Sequence, residues 1–94
     1  MNDLEQLRAE LDGIDRELVR LFEERMKIAR GVAAYKIANG LPVLDSGREE
    51  RVLASREALV TDPALSGAVR ELFTEIMRLS RAEQARLMAE EHRV

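Results

Sequence analysis

The sequence predicts an all-α protein with three helices per chain, one long, one short and one of medium length, in an intertwined helical homodimer. Three observations carry this. Apolar or large side chains recur at Leu4, Leu7, Leu11, Ile14, Leu18, Leu21, Ile28, Val32 and Tyr35 in alternating steps of three and four, the spacing of a heptad seam. The only two prolines, Pro42 and Pro63, fall at segment boundaries. Residues 4–39 make a helix of roughly 54 Å at ~1.5 Å per residue, against a radius of gyration of about 12 Å for a compact monomer of this size. One chain of 94 residues cannot cover such a seam. A second copy is therefore expected, its long helix antiparallel to or crossing the first, with the shorter helices packed around them.

The long helix is rich in Leu, Ala, Glu and Arg, and Gly13 and Gly31 each cost it about 1 kcal/mol. It should stop at Asn39-Gly40, where glycine suits the left-handed C-cap and Pro42 follows. After Leu41-Pro42-Val43-Leu44-Asp45, the run Ser46-Gly47-Arg48-Glu49 has the S-x-x-E spacing of a capping box, so a second helix should begin at Ser46 and run to about Leu59 or Val60. Thr61-Asp62-Pro63 then supplies a cap and a proline at the first position of the third helix. That helix carries Leu65, Val69, Leu72, Phe73, Ile76, Leu79 and Leu87 and should fray at residues 92–94.

Composition excludes several classes. Fifteen Lys and Arg against eighteen Asp and Glu give a net charge of −3, and 3% of residues are aromatic, which suits neither a basic nucleic-acid surface nor a base-stacking platform. The chain has no cysteine, hence no disulfide and no thiolate. His92 is the single histidine and lies in the tail, so neither a Ser-His-Asp arrangement nor a histidine metal site can be assembled. No apolar run approaches the ~18 residues that span a bilayer, and Met1-Asn2-Asp3-Leu4-Glu5 is acidic. These features predict a soluble cytoplasmic protein, one domain over residues 1–94, with no membrane or nucleic-acid partner.

Polar residues in apolar places are the functional signal. Arg25 fills a seam position between Leu21 and Ile28. It is either an interfacial arginine that reaches solvent or a partner Glu, or a cation kept for an anionic ligand. Lys36 lies 11 residues on, three helical turns along nearly the same face and roughly 16 Å away at the backbone. On the third helix the stripe Phe73, Ile76, Ser80, Gln84, Leu87 has two polar members. Taken alone, Ser80 and Gln84 read as a hydrogen-bonded pair or an exposed edge; beside Arg25 and Lys36 they read as uncharged donors of one pocket. Arg8 lies 17 residues before Arg25, about 25 Å along one helix. It is a solvated charge, or in an antiparallel dimer it approaches the other subunit's Arg25, giving two sites per dimer. Asp45, Arg48 and Glu49 cluster where the second helix starts; Ser46 and Glu49 are expected to cap, which leaves Arg48 free.

The ordered set Arg8, Arg25, Lys36, Asp45, Arg48, Glu49, Ser80 and Gln84 resembles the active-site pattern of the all-helical (AroQ-type) chorismate mutases. The resemblance runs through Leu7-Arg8, Ile14-Asp15, Leu18-Val19, Glu24-Arg25, Tyr35-Lys36, Pro42-Val43-Leu44-Asp45, Arg48-Glu49, and Ser80 with Gln84. It implies an intertwined helical dimer that converts chorismate to prephenate on the way to phenylalanine and tyrosine, with no cofactor and no metal. By the same resemblance, Arg8 of the partner subunit and Ser80 would hold the ring carboxylate, and Arg25 and Arg48 the enolpyruvyl carboxylate. Lys36 and Gln84 would donate to the ether oxygen, and Asp45 and Glu49 would face the ring hydroxyl. Leu44, Ser46-Gly47 and Arg81 depart from the family pattern and read as peripheral. Two other readings stay open on the sequence: an isochorismate-pyruvate lyase of the same fold, and a non-catalytic helical dimerisation module.

Overall fold

A computed structural model describes residues 3–91. They form three α-helices, α1 (Asp3–Asn39), α2 (Ser46–Glu57) and α3 (Ser66–Glu91), with a single 3₁₀ turn, Pro63–Leu65, ahead of α3 and no strand among the described residues. The tail residues expected to fray, His92 among them, lie outside the described residues.

The end of α1 is the predicted glycine cap. Gly40 has φ +63°, the Leu41 N–H donates to the Lys36 carbonyl at 2.9 Å and the Gly40 N–H to that of Ile37 at 3.4 Å. This six-to-one and five-to-two pair turns the chain sharply away from the helix axis.

The start of α2 differs from the expected capping box. Asp45, not Ser46, is the N-cap: its backbone is extended and its Oδ1 accepts from the Arg48 N–H at 2.9 Å. A carboxylate there satisfies an orphan amide and also meets the positive end of the helix dipole, so it displaces the serine by one position. Glu49 consequently has no capping duty. At its other end α2 stops at Glu57, short of Leu59; the last turn tightens into three-residue bonds, Leu59 N–H to Arg56 O at 3.0 Å and Val60 N–H to Glu57 O at 3.1 Å. Asp62 caps as expected, accepting from the Ala64 N–H at 3.0 Å with Pro63 behind it, but it caps the 3₁₀ turn, and α3 proper begins at Ser66.

α3 packs against both α1 and α2, whereas α1 and α2 do not pack on each other. The core is correspondingly small. Val52 and Leu53 of α2 meet Met77 of α3, with Phe73 against them; on α1, Met26, Ala29 and Ala33 are buried, and the short alanines allow α3 to approach closely. Each fully buried Val, Leu or Met side chain stabilises by about 1.5–3 kcal/mol. Ion pairs bind the same elements from outside: Arg30 with Glu83 at 2.8 Å between α1 and α3, and Arg70 with Glu50 at 2.8 Å between α3 and α2.

The first half of α1 has no such support. Every residue from 3 to 24 is exposed, and Leu4, Leu7, Leu11, Ile14 and Leu18 are each more than half accessible. The chain measures 58 × 29 × 14 Å with a radius of gyration of 17.0 Å, against about 12 Å for a compact chain of this length. An apolar helical arm more than five turns long thus stands free of the rest of the chain.

Candidate active site

Because α3 touches both other helices while they stand apart, a cleft opens between α1 and α2 with α3 as its floor. It encloses about 270 Å³, at the small end of ligand pockets, which run about 300–1,000 Å³. From α1 it takes Arg25, Ile28, Ala29, Val32 and Lys36; from the connection and α2, Val43, Asp45, Arg48, Glu49 and Val52; from α3, Met77, Ser80, Arg81 and Gln84. The walls are aliphatic and the charges are concentrated at a few points.

Ser80 and Gln84 are the only buried polar residues among those described, and they do not bond to each other. Each answers a cation of α1. Arg25 Nη1 donates to Ser80 Oγ at 2.7 Å, and Lys36 Nζ donates to Gln84 Oε1 at 3.3 Å. The expectation of a Ser80–Gln84 pair or an exposed edge is therefore corrected, because a charge-assisted bond to a neighbouring helix outweighs a neutral one within the helix. Lys36 also donates to the Val43 carbonyl at 2.7 Å, which ties the ammonium to the chain just past the glycine turn. An ammonium has three donors and a carboxamide two. With two of the lysine's donors used and the Gln84 oxygen accepting, one lysine N–H and the Gln84 NH₂ remain for an acceptor in the cleft.

Arg25 is half-buried and, among the described residues, pairs with no carboxylate. Burial first, and then the nearby Arg56 and Arg48, pull its pKa below the usual arginine value. It stays protonated at neutral pH, since a guanidinium does not deprotonate there. Arg48 gives its backbone N–H to the cap of α2, and its residue lines the cleft beside Arg25. Arg56 lies with its guanidinium 5.8 Å from the Phe73 ring centroid, held by cation–π attraction. Positive charge gathers at and beside this end of the cleft, and among the described residues none of Arg25, Arg48 and Arg56 is ion-paired with a carboxylate, the arrangement that an incoming carboxylate relieves.

The two cleft carboxylates are both committed. Asp45 caps α2, and Glu49 is ion-paired with Arg81. Arg81 is thus not peripheral: it lines the cleft and reaches from α3 to α2. Its position is available from the sequence, since Met77, Arg81 and Gln84 follow the i, i+4, i+7 spacing of one helix face; the stripe through Ile76 runs one residue to the side. Of the sequence-derived set, Arg25, Lys36, Asp45, Arg48, Glu49, Ser80 and Gln84 come together in this one cleft, and Arg8 does not. Arg8 sits exposed on the free arm of α1. No group of three or more His, Cys, Asp or Glu among the described residues could hold a metal ion, and no helix among them is long and apolar enough to cross a membrane.

Comparison with known proteins gives a consistent result. The family described as "Chorismate mutase type II" matches residues 7–85. The T-protein of Haemophilus influenzae is 32% identical over 85 residues, 89% of this chain and 22% of that protein. The 4-amino-4-deoxychorismate mutase of Streptomyces venezuelae is 38% identical over 47 residues, 50% of this chain and 46% of that protein. The chain therefore spans less than half the length of either relative. Among solved structures, chorismate mutase (form II) from Thermus thermophilus superposes with a TM-score of 0.86 at 33% identity, covering 90% of this chain and 97% of that one.

Proposed function

The chain belongs to the type II chorismate mutase family, and from that premise we propose that it catalyses the [3,3] rearrangement of chorismate to prephenate, in the biosynthesis of phenylalanine and tyrosine. The observation that carries the reading is Arg25, a half-buried guanidinium with no carboxylate partner among the described residues, set in one cleft with Arg48 and with the donors of Lys36 and Gln84.

Chorismate is a dianion whose rearrangement needs no nucleophile, no proton shuttle and no metal. What limits it is the population of the compact conformer and the charge that develops on the ether oxygen. Arg25 and Arg48 clamp the enolpyruvyl carboxylate, which removes conformational freedom before the reaction starts. As the carbon–oxygen bond breaks, negative charge grows on the ether oxygen, and the free donors of Lys36 and Gln84 bind that oxygen more strongly in the transition state than in the ground state. Glu49 faces the ring hydroxyl. Asp45 joins it through its backbone or the carboxylate oxygen that does not cap α2.

The site is completed by a second subunit. We assign the free apolar arm of α1 to pairing in an intertwined homodimer, in which Arg8 of the partner subunit, with Ser80, holds the ring carboxylate. Within one chain the ~25 Å between Arg8 and Arg25 along α1 rules out that convergence.

The test is to incubate the purified protein with chorismate and identify the product by NMR, with Arg25→Ala as control. Prephenate from the wild type and at least about tenfold less from the variant, the cost of losing a charged hydrogen bond, supports the reading. No turnover by an intact dimer overturns it. The Streptomyces relative is named for a substrate with an amine at ring position 4, so 4-amino-4-deoxychorismate belongs in the same assay.

A further inference from the structure

The ion pair between Glu49 of α2 and Arg81 of α3 is a side-chain contact in the cleft that the rearrangement itself does not require. It joins the α2 wall to the α3 floor, beside the place proposed for the ring hydroxyl, and it uses one oxygen of the carboxylate, Oε1. We propose that Arg81 is a positioning residue that sets the preference for the ring substituent: it holds Glu49 as an acceptor for a neutral hydroxyl and makes the site reject a ring that carries an ammonium there. This rests on the mutase reading of the same cleft.

The argument is one of charge and lone pairs. A lone carboxylate would serve a hydroxyl and an ammonium alike, and would favour the ammonium, since the charged pair is the stronger. Glu49 is not alone. With Oε1 given to Arg81, Oε2 is left to accept from a ring hydroxyl, while an ammonium placed there would approach the Arg81 guanidinium. Asp45 spends part of its charge on the N-terminus of α2, where its Oδ1 caps the Arg48 N–H, so it offsets the guanidinium only in part. The cleft carries Arg25, Lys36, Arg48 and Arg81 against Asp45 and Glu49. That surplus suits a dianion and penalises a substrate in which an ammonium cancels one of the two negative charges. Specificity here comes from a repulsive element as much as from an attractive one.

The experiment compares kcat/KM for chorismate and for 4-amino-4-deoxychorismate in the wild type, Arg81→Met, Arg81→Lys and Glu49→Gln, with a melting curve for each. The wild type should prefer chorismate. Arg81→Met should lower the ratio of the two by at least about tenfold, since like-charge juxtaposition in an interface is strongly penalised. Arg81→Lys should keep most of the preference, and in a Glu49→Gln background Arg81→Met should still lower the ratio, since the guanidinium repels an ammonium with or without the carboxylate beside it. A merely structural role would lower both activities together and leave the ratio fixed. An unchanged ratio in a folded Arg81→Met, in either background, overturns the proposal. If Arg81→Met fails to fold, Arg81→Gln carries the same comparison. A wild type that turns over neither substrate overturns the mutase reading itself, which is seen before any variant is made.

Discussion

Lys36 and Gln84 meet across the α1–α3 interface through a hydrogen bond of 3.3 Å in which the ammonium donates to Oε1 of the amide. The direction of that bond matters more than its length. It turns the Gln84 NH₂ outward, so the two residues present only donors to the cleft, and the Val43 carbonyl fixes the lysine from the other side at 2.7 Å. An acceptor that gains negative charge during reaction finds both groups already oriented, with no reorganisation left to perform.

Removing the charged member of this pair should be costly. Lys36→Ala is expected to lower kcat for chorismate by at least the ~10²-fold typical of a lost oxyanion donor, with a smaller change in KM, because the interaction strengthens only in the transition state. Steady-state kinetics on the purified variant, with circular dichroism to check the fold, measures it. A variant with near-normal kcat would contradict the assigned role.

Gln84 carries no titrating group, so its donation does not vary with pH, and the wild-type rate should stay nearly constant from about pH 6 to 8. Gln84→Glu should behave differently. A carboxyl group donates only when protonated, its ordinary pKa is about 4.3, and the adjacent Lys36 favours the charged form and so works against protonation. The variant should be poorly active at neutral pH and recover about tenfold per unit as the pH falls, until the acid form saturates. A flat profile for Gln84→Glu, read from initial rates at fixed ionic strength, would remove Gln84 from the ether oxygen.

Much of this protein is legible in its sequence because the governing signals are local. The long helix, its Gly40 turn and the Asp62 cap each depend on a few neighbouring residues, and the structure has them where the spacing puts them, although Pro63 opens a 3₁₀ turn and α3 follows only at Ser66. Where two local signals compete, the sequence misleads. Ser46 and Asp45 are adjacent capping residues, and the carboxylate prevails because it also answers the helix dipole. The partners of Ser80 and Gln84 cannot be read at all. They depend on how α3 lies against α1, which periodicity does not specify. Arg81 reads as peripheral because it departs from the family pattern, although it shares a helix face with Met77 and Gln84, and only the approach of α2 reveals Glu49 beside it.

The α1–α3 contact has its own pH signature. Glu83 accepts from Arg86 and, across the interface, from Arg30, and these bonds hold its pKa down from an ordinary 4.5 to about 2. A group whose pKa is depressed on folding contributes stability that is fully present above its unfolded value and is lost as the pH falls through its folded one. Glu83→Gln should therefore melt below the wild type at neutral pH, and the gap should close between pH 4.5 and 2. The arginine partners are exposed, so the gap should also narrow in 1 M salt, where the screening length falls to about 3 Å. Thermal melts at several pH values decide it; a gap that widens in acid would show that Glu83 acts through something other than its charge.

The sharpest prediction concerns the shared site, because it separates a partner-supplied residue from a merely nearby one. Arg8→Ala and Arg25→Ala homodimers should each be crippled, the first with no loss of dimer at micromolar concentration, since Arg8 is exposed and not a seam residue. In a heterodimer of the two, one site receives intact Arg8 from one chain and intact Arg25 from the other, while the second site loses both. Refolding the variants together at equal amounts gives half heterodimers by statistics, each with one good site, so activity should recover to about a quarter of the wild-type value. If both arginines served the same site from a single chain, mixing would restore nothing. Substituting an apolar seam residue provides the control: Leu11→Asp should abolish the dimer expected from the wild type in sedimentation and remove activity in every mixture, because the arm that carries Arg8 then has nothing to pair with.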